Sequence, residues 1–97
     1  MYFIINYDIK DKEREDVFFK SVKGLGDTLI FLPHSLILYI ENNDHDKDYI
    51  FKNLKSVLKE EDLFLISTVP FSNMAGWLPS SSVEWLNDHN KKHQTNN

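Results

Sequence analysis

An α+β fold is predicted by three observations. The chain opens on an alternating apolar run, Tyr2 to Ile9. Two later segments carry apolar residues at helical spacing. Further strand-like runs flank a Pro-His-Ser turn and follow the second helix, so the order reads β-α-β-β-α-β.

The first strand spans Tyr2 to Ile9. Alternation puts Phe3, Ile5, Tyr7 and Ile9 on one face and Tyr2, Ile4, Asn6 and Asp8 on the other. A helix follows over Lys10 to Lys23, with Asp11 as N-cap. Glu13, Glu15 and Asp16 suit the positive end of the helix dipole, and Lys20 and Lys23 the negative end. Phe18, Val22 and Leu25 mark its buried stripe, and Gly24 and Gly26 supply a stop. Strands over Asp27 to Leu32 and Leu36 to Ile40 form a hairpin about Pro33-His34-Ser35. The second helix covers Asp46 to Lys59, with Ile50, Leu54, Val57 and Leu58 inward. The fourth strand is Leu63 to Val69. Pro70 to Leu78 reads as irregular. Ser81-Ser82-Val83-Glu84 matches a capping box opening a short helix that carries Trp85 and Leu86.

This order is the ferredoxin-like plan: a four-stranded antiparallel sheet of order 4-1-3-2 with both main helices on one face, plus a short C-terminal helix. One domain is expected over residues 1–90. Residues 91–97 form a polar tail expected to fray. The second sheet face lacks helix cover, yet alternation leaves large apolar residues there. That face is expected to be covered by a second copy of the chain, by the segment Phe71 to Leu86, or by both. Its candidate interface residues are Tyr2, Ile4, Ile30, Leu38, Trp77 and Trp85. Packing of the terminal helix explains the two tryptophans better than base stacking does.

The bulk numbers bound the function. Ninety-seven residues, 41% hydrophobic and 27% charged, fit one globular domain. There is no cysteine, which removes disulfides and thiolate metal sites and fits a cytoplasmic setting. No apolar run reaches the roughly 20 residues a membrane span requires. No basic segment precedes the opening apolar run, so no secretory signal is expected. The net charge of −4 disfavours non-specific nucleic-acid binding.

The plan gathers Asp8, His34, Ser35, Glu61 and Asp62 along one sheet edge, with Asp11 nearby. Asp8 is the candidate catalytic and metal-binding residue. A carboxylate closing an apolar strand must be solvated, paired or bound to a cation. As a ligand it would take Mg²⁺ or Mn²⁺, shared with its mate across a dimer axis. As a structural group it would cap the next helix or pair with Lys10, Lys12 or Arg14. His34 reads as a solvated turn histidine, and Ser35 has no evident base. His45, His89 and His93 lie in polar segments. His89 and His93 have the i, i+4 spacing of a metal pair without the acid partner.

The start Met1 to Ile9, with its aromatic-Asp-aliphatic step at Tyr7-Asp8-Ile9, resembles the CRISPR-associated adaptation (endoribonuclease-like) proteins and the virulence-associated protein D group. Ser35 resembles a serine in a similar hairpin position there. A longer likeness, over almost the whole chain, is to small bacterial SinR-like proteins. It rests on the Tyr7-Asp8 start, Leu25-Gly26, Ala75-Gly76-Trp77 and Glu84-Trp85-Leu86. The resemblance implies a ferredoxin-like dimer. For Asp8 it implies a metal held between subunits, with nuclease activity in some members. The acidic charge and the aromatic C-terminal helix depart from that pattern, and nothing looks like a helix-turn-helix.

The leading expectation is a small homodimeric protein that acts by binding a protein partner, in a toxin–antitoxin or mobile-element defence setting. The alternatives are a metal-dependent endonuclease of RNA or DNA built on Asp8, and a small-ligand sensor using the loop Phe71 to Trp77.

Overall fold

The computed structural model describes residues 1–41 and 44–95, with side chains described to residue 91. The elements are β1 (Tyr2–Asp8), α1 (Lys12–Leu25), β2 (Asp27–Leu32), β3 (Ser35–Tyr39), α2 (Lys47–Lys55), β4 (Leu63–Val69), a 3₁₀ turn (Phe71–Asn73) and α3 (Ser80–Thr95). The strands make one antiparallel sheet in the order β2-β3-β1-β4. The fold is α+β, with three helices about that sheet.

Both main helices start where their side chains can cap them. Asp11 accepts a hydrogen bond from the Arg14 amide at 3.1 Å, and Asp46 accepts one from the Tyr49 amide at 2.9 Å. α1 runs through Gly24 to Leu25. Gly26 has an extended backbone, so no left-handed stop ends this helix. Its small size serves packing instead. A Cβ there would collide with the Tyr39 carbonyl oxygen on the neighbouring strand. α2 is shorter than its apolar spacing predicts, ending at Lys55, although Leu58 still packs on the core.

The core lies between the sheet and the first two helices. Phe3, Ile5, Tyr7 and Ile9, with Leu36, Leu38 and Ile40, meet Phe18 and Val22 of α1 and Ile50 and Leu54 of α2. Each such side chain contributes roughly 1.5–3 kcal/mol on burial. β1 is central, so every position on its helix side is covered. Register then fixes the other strands, because directly opposed residues share a face. Leu38 opposes Phe3, and Ile30 opposes Leu36. Both therefore lie on the helix side, contrary to their expected place on the open face. Leu38 is fully buried, whereas Ile30 is exposed because β2 is an edge strand.

A second cluster covers part of the opposite face. Tyr2, Ile37 and Tyr39 are buried there, with Ile4, Phe31, Phe71, Met74, Trp85 and Leu86 packed against them. A bulge between Ile30 and Leu32 interrupts the pairing of β2 with β3. α3 starts at Ser80, one residue before the expected cap. The Ser82 and Val83 amides donate to the Pro79 carbonyl, which places Ser81 inside the helix. The helical backbone continues to Thr95, past the point where a frayed tail is expected. Asn96 and Asn97 lie outside the described residues. No described helix is long and apolar enough to cross a membrane.

Candidate binding groove

α3 crosses the end of the open face where β1 begins and β3 ends. Tyr2 of β1 and His89 of α3 hold it to the sheet. The Tyr2 hydroxyl donates to the Leu86 carbonyl at 3.0 Å. The Tyr2 ring lies 5.1 Å from Tyr39 and 6.0 Å from Phe71. His89 is wedged between α3 and the sheet, stacked on Trp85 at 4.0 Å and edge-on to Tyr39 at 4.8 Å. Its Nδ1 is 2.8 Å from the Trp85 carbonyl oxygen, and its Nε2 is 2.8 Å from Asp27 Oδ2. His89 is 7% exposed, so it is not the incidental surface residue its polar neighbours suggest. Only the course of α3 over the sheet reveals Asp27 as its acid partner. The side chain of His93, the other half of the expected pair, lies outside the described residues.

Burial pushes the Tyr2 hydroxyl up to about 12, helped by the nearby Tyr39. The Tyr39 hydroxyl also rises, through burial first and then Glu41 and Asp27. Both rings therefore stay neutral while they hold α3.

Beside α3 the chain leaves a groove of about 790 Å³. Its floor is Ile4 and Ile37 on the sheet, and its walls are Phe31, Met74 and Leu86, among others. Among the described residues, no charged residue lines it, and Asn73 supplies the one amide side chain. Trp77 stands at the rim, 99% exposed. Pro70 and Pro79 bracket this loop, and the 3₁₀ turn at Phe71–Asn73 sets its course. Of the expected interface residues, Tyr2 is buried beneath α3, Ile4 floors the groove, Trp85 packs half-buried in the second cluster, and Trp77 is free.

The predicted edge cluster assembles through salt bridges and hydrogen bonds. Asp8 Oδ2 contacts Lys10 Nζ at 2.6 Å, both side chains about half exposed at 53%. Ser35 Oγ donates to Asn6 Oδ1 at 2.6 Å, so its hydroxyl faces an amide and no base. His34 sits in the left-handed region, at φ 64°, where its carbonyl accepts from the Tyr7 amide at 3.0 Å. Asp62 accepts from the Lys10 and Lys59 amides, both at 2.9 Å, and from Arg14. The Arg14 guanidinium holds the Asp62 carboxyl well below the usual carboxylate range. Arg14 also reaches Glu61 at 3.0 Å. This arrangement joins the start of α1 to the start of β4. Among the described residues, no group of three His, Asp or Glu is placed to hold a metal ion.

Comparison with family models, with curated proteins and with solved structures found no match.

Proposed function

We propose that this chain is a small homodimeric partner-binding protein on a ferredoxin-like plan, and that the groove beside α3 receives an uncharged, apolar segment of a protein partner. The carrying observation is Trp77: a large aromatic ring, 99% exposed, at the rim of a groove that no charged residue lines among the described residues. Exposed tryptophan beside an apolar cleft is the composition of an interface anchor. The tight mounting of α3 through Tyr2, Tyr39 and His89 supports the same reading, since a preformed wall lowers the ordering cost of binding. The resemblance to small bacterial proteins suggests a toxin–antitoxin or mobile-element setting for the partner.

The endonuclease reading draws on Asp8 alone, whose carboxylate is engaged by Lys10. The small-ligand reading would use the same groove, but Asn73 offers few polar anchors for orienting a small molecule.

The test is site-specific photo-crosslinking in the native cell. A photoreactive phenylalanine analogue at position 77 should give one dominant protein adduct. The same analogue at Lys20, on the exposed face of α1, should not. No adduct at 77, or the same adducts from both positions, removes the reading.

A further inference from the structure

The two edges of the sheet are unlike. β2 carries the devices that keep an edge from pairing: Asp27 at its start, a bulge between Ile30 and Leu32, and Pro33 directly after it. α3 also packs against β2 through the His89–Asp27 contact. β4 has neither a charge within the strand nor a bulge, and it shares with β2 only the proline that follows it, Pro70. Leu63–Val69 has no charge, proline or glycine, and it pairs with β1 without interruption from Leu63 to Val69. Its outer rim of backbone groups has no strand beside it, because β4 ends the sheet.

The surroundings of that edge are apolar on both faces. Leu63 and Leu65 are 62% and 65% exposed on the open side. On the helix side, Phe51 of α2 is 45% exposed and stacks on Phe64 at 5.5 Å. That stacking turns one stripe of α2 toward the β4 edge. The stripe reads Asp48, Phe51, Lys55, at i, i+3 and i+7. Lys55 Nζ sits 5.7 Å over the Phe51 ring, and Asp48 makes an exposed pair with Lys47.

We infer that the β4 edge, together with the Asp48–Phe51–Lys55 stripe of α2, is the surface by which a second copy of this chain binds. Charge complementarity selects the copy over any other strand donor. A two-fold axis normal to the sheet pairs β4 antiparallel with its mate and sets the two α2 helices antiparallel on the same side. The stripe then meets itself reversed: Phe51 against its mate, and each Asp48 facing the partner's Lys55. The acid lies in the first turn of α2 and the lysine in the last, about 10 Å apart along the axis at 1.5 Å per residue. An acid–aromatic–base row of this kind is self-complementary only in that orientation. The product is one continuous eight-stranded sheet whose two grooves open on the same broad face and stay free.

This inference rests on the homodimeric part of the proposed function and not on the groove. Sedimentation over a concentration series tests it, with circular dichroism confirming the fold of each variant. Wild type should sediment as a dimer. Leu65→Lys, at an exposed edge position, should be folded and monomeric. Asp48→Lys and Lys55→Asp should each weaken self-association by about tenfold, since each sets like charges against one another at two places. An equimolar mixture of those two variants restores both opposite-charge pairs and should return to wild-type affinity as a heterodimer. A wild type that stays monomeric overturns both this inference and the homodimer reading. A wild-type dimer indifferent to Leu65→Lys, or a mixture no tighter than its components, overturns the β4 surface alone.

Discussion

Arg14 and Asp62 stand 48 residues apart in sequence and are joined by two hydrogen bonds, Nε to Oδ2 at 2.8 Å and Nη2 to Oδ1 at 3.1 Å. The fork of the guanidinium meets both oxygens of the carboxylate, the geometry in which an ion pair is most specific. The Asp62 side chain is fully shielded from solvent, while that of Arg14 remains partly open. Two backbone amides complete the carboxylate's partners, so the start of α1 and the start of β4 are tied at one point. The acids beside it make the edge look like a metal site in sequence, whereas the cation at its centre is a guanidinium.

The first prediction concerns acid. Asp62 has a folded-state value lowered chiefly by its hydrogen bond from Arg14. A lowered carboxylate adds stability that is complete above its unfolded value, about 3.9, and is lost as pH falls through and below that range. Asp62→Asn should therefore flatten the dependence of stability on pH below about 4. Arg14→Met should move the acid-unfolding midpoint upward. Urea denaturation at a series of acidic pH values measures both. An Asp62→Asn protein with the full wild-type acid slope would assign that slope to other carboxylates.

The two glycines at the end of α1 should respond in opposite ways. Gly24 lies inside the helix with open space where a side chain would go. Gly24→Ala should stabilise by about 0.5–1 kcal/mol, through helix propensity and a less free unfolded chain. Gly26 faces the Tyr39 carbonyl, so Gly26→Ala must push β2 from β3 and should destabilise. Thermal unfolding of the two variants separates them. Equal effects would mean that the strand contact is not what requires glycine.

Much of this molecule could be read from periodicity. The helix stripes Phe18–Val22 and Ile50–Leu54, the cap Asp11, and the apolar strand faces of β1 are all local patterns, and local patterns survive folding. The gathering of Asp8, Ser35, Glu61 and Asp62 at one edge followed from element order. Parity in β3 did not follow: Leu38 and Ile37 are equally apolar, and only pairing with Phe3 turns Leu38 toward the helices. His89 was illegible for a similar reason. Its partners Asp27 and Tyr39 belong to strands more than forty residues earlier, and nothing in a polar helix end announces them. The groove is a surface made by a proline-bracketed loop, whose course no periodicity records.

Leu38 and Trp77 give a direct contrast between a core residue and a surface anchor. Leu38 has no exposed surface, and Trp77 is 99% exposed. Leu38→Ala should cost about 2–5 kcal/mol through lost burial and a residual cavity. Trp77→Ala should change stability by no more than about 0.5 kcal/mol. Chemical denaturation of the isolated protein decides it. A large loss from Trp77→Ala would show that the ring packs within its own chain, which removes its role as a free anchor.

The alkaline limb should be set by tyrosines. Tyr2 is pushed up to about 12 by burial and then by Tyr39, and Tyr7 rises through burial and then Glu15. A raised tyrosine keeps its proton in the folded state after the unfolded chain has released it, near pH 10. The folded state then binds more protons, so stability is complete below about pH 10 and falls as pH rises toward 12. Because Tyr2 and Tyr39 hold α3, the helix should loosen before the helix-side core does. Amide exchange in α3 should accelerate with pH more steeply than base catalysis alone requires, while amides of β1 keep their protection. Tyr2→Phe removes the ionising group together with its bond to the Leu86 carbonyl. It should lose about 1 kcal/mol at neutral pH and lose less than wild type between pH 10 and 12. An unchanged alkaline slope in that variant would place the sensitivity elsewhere in the chain.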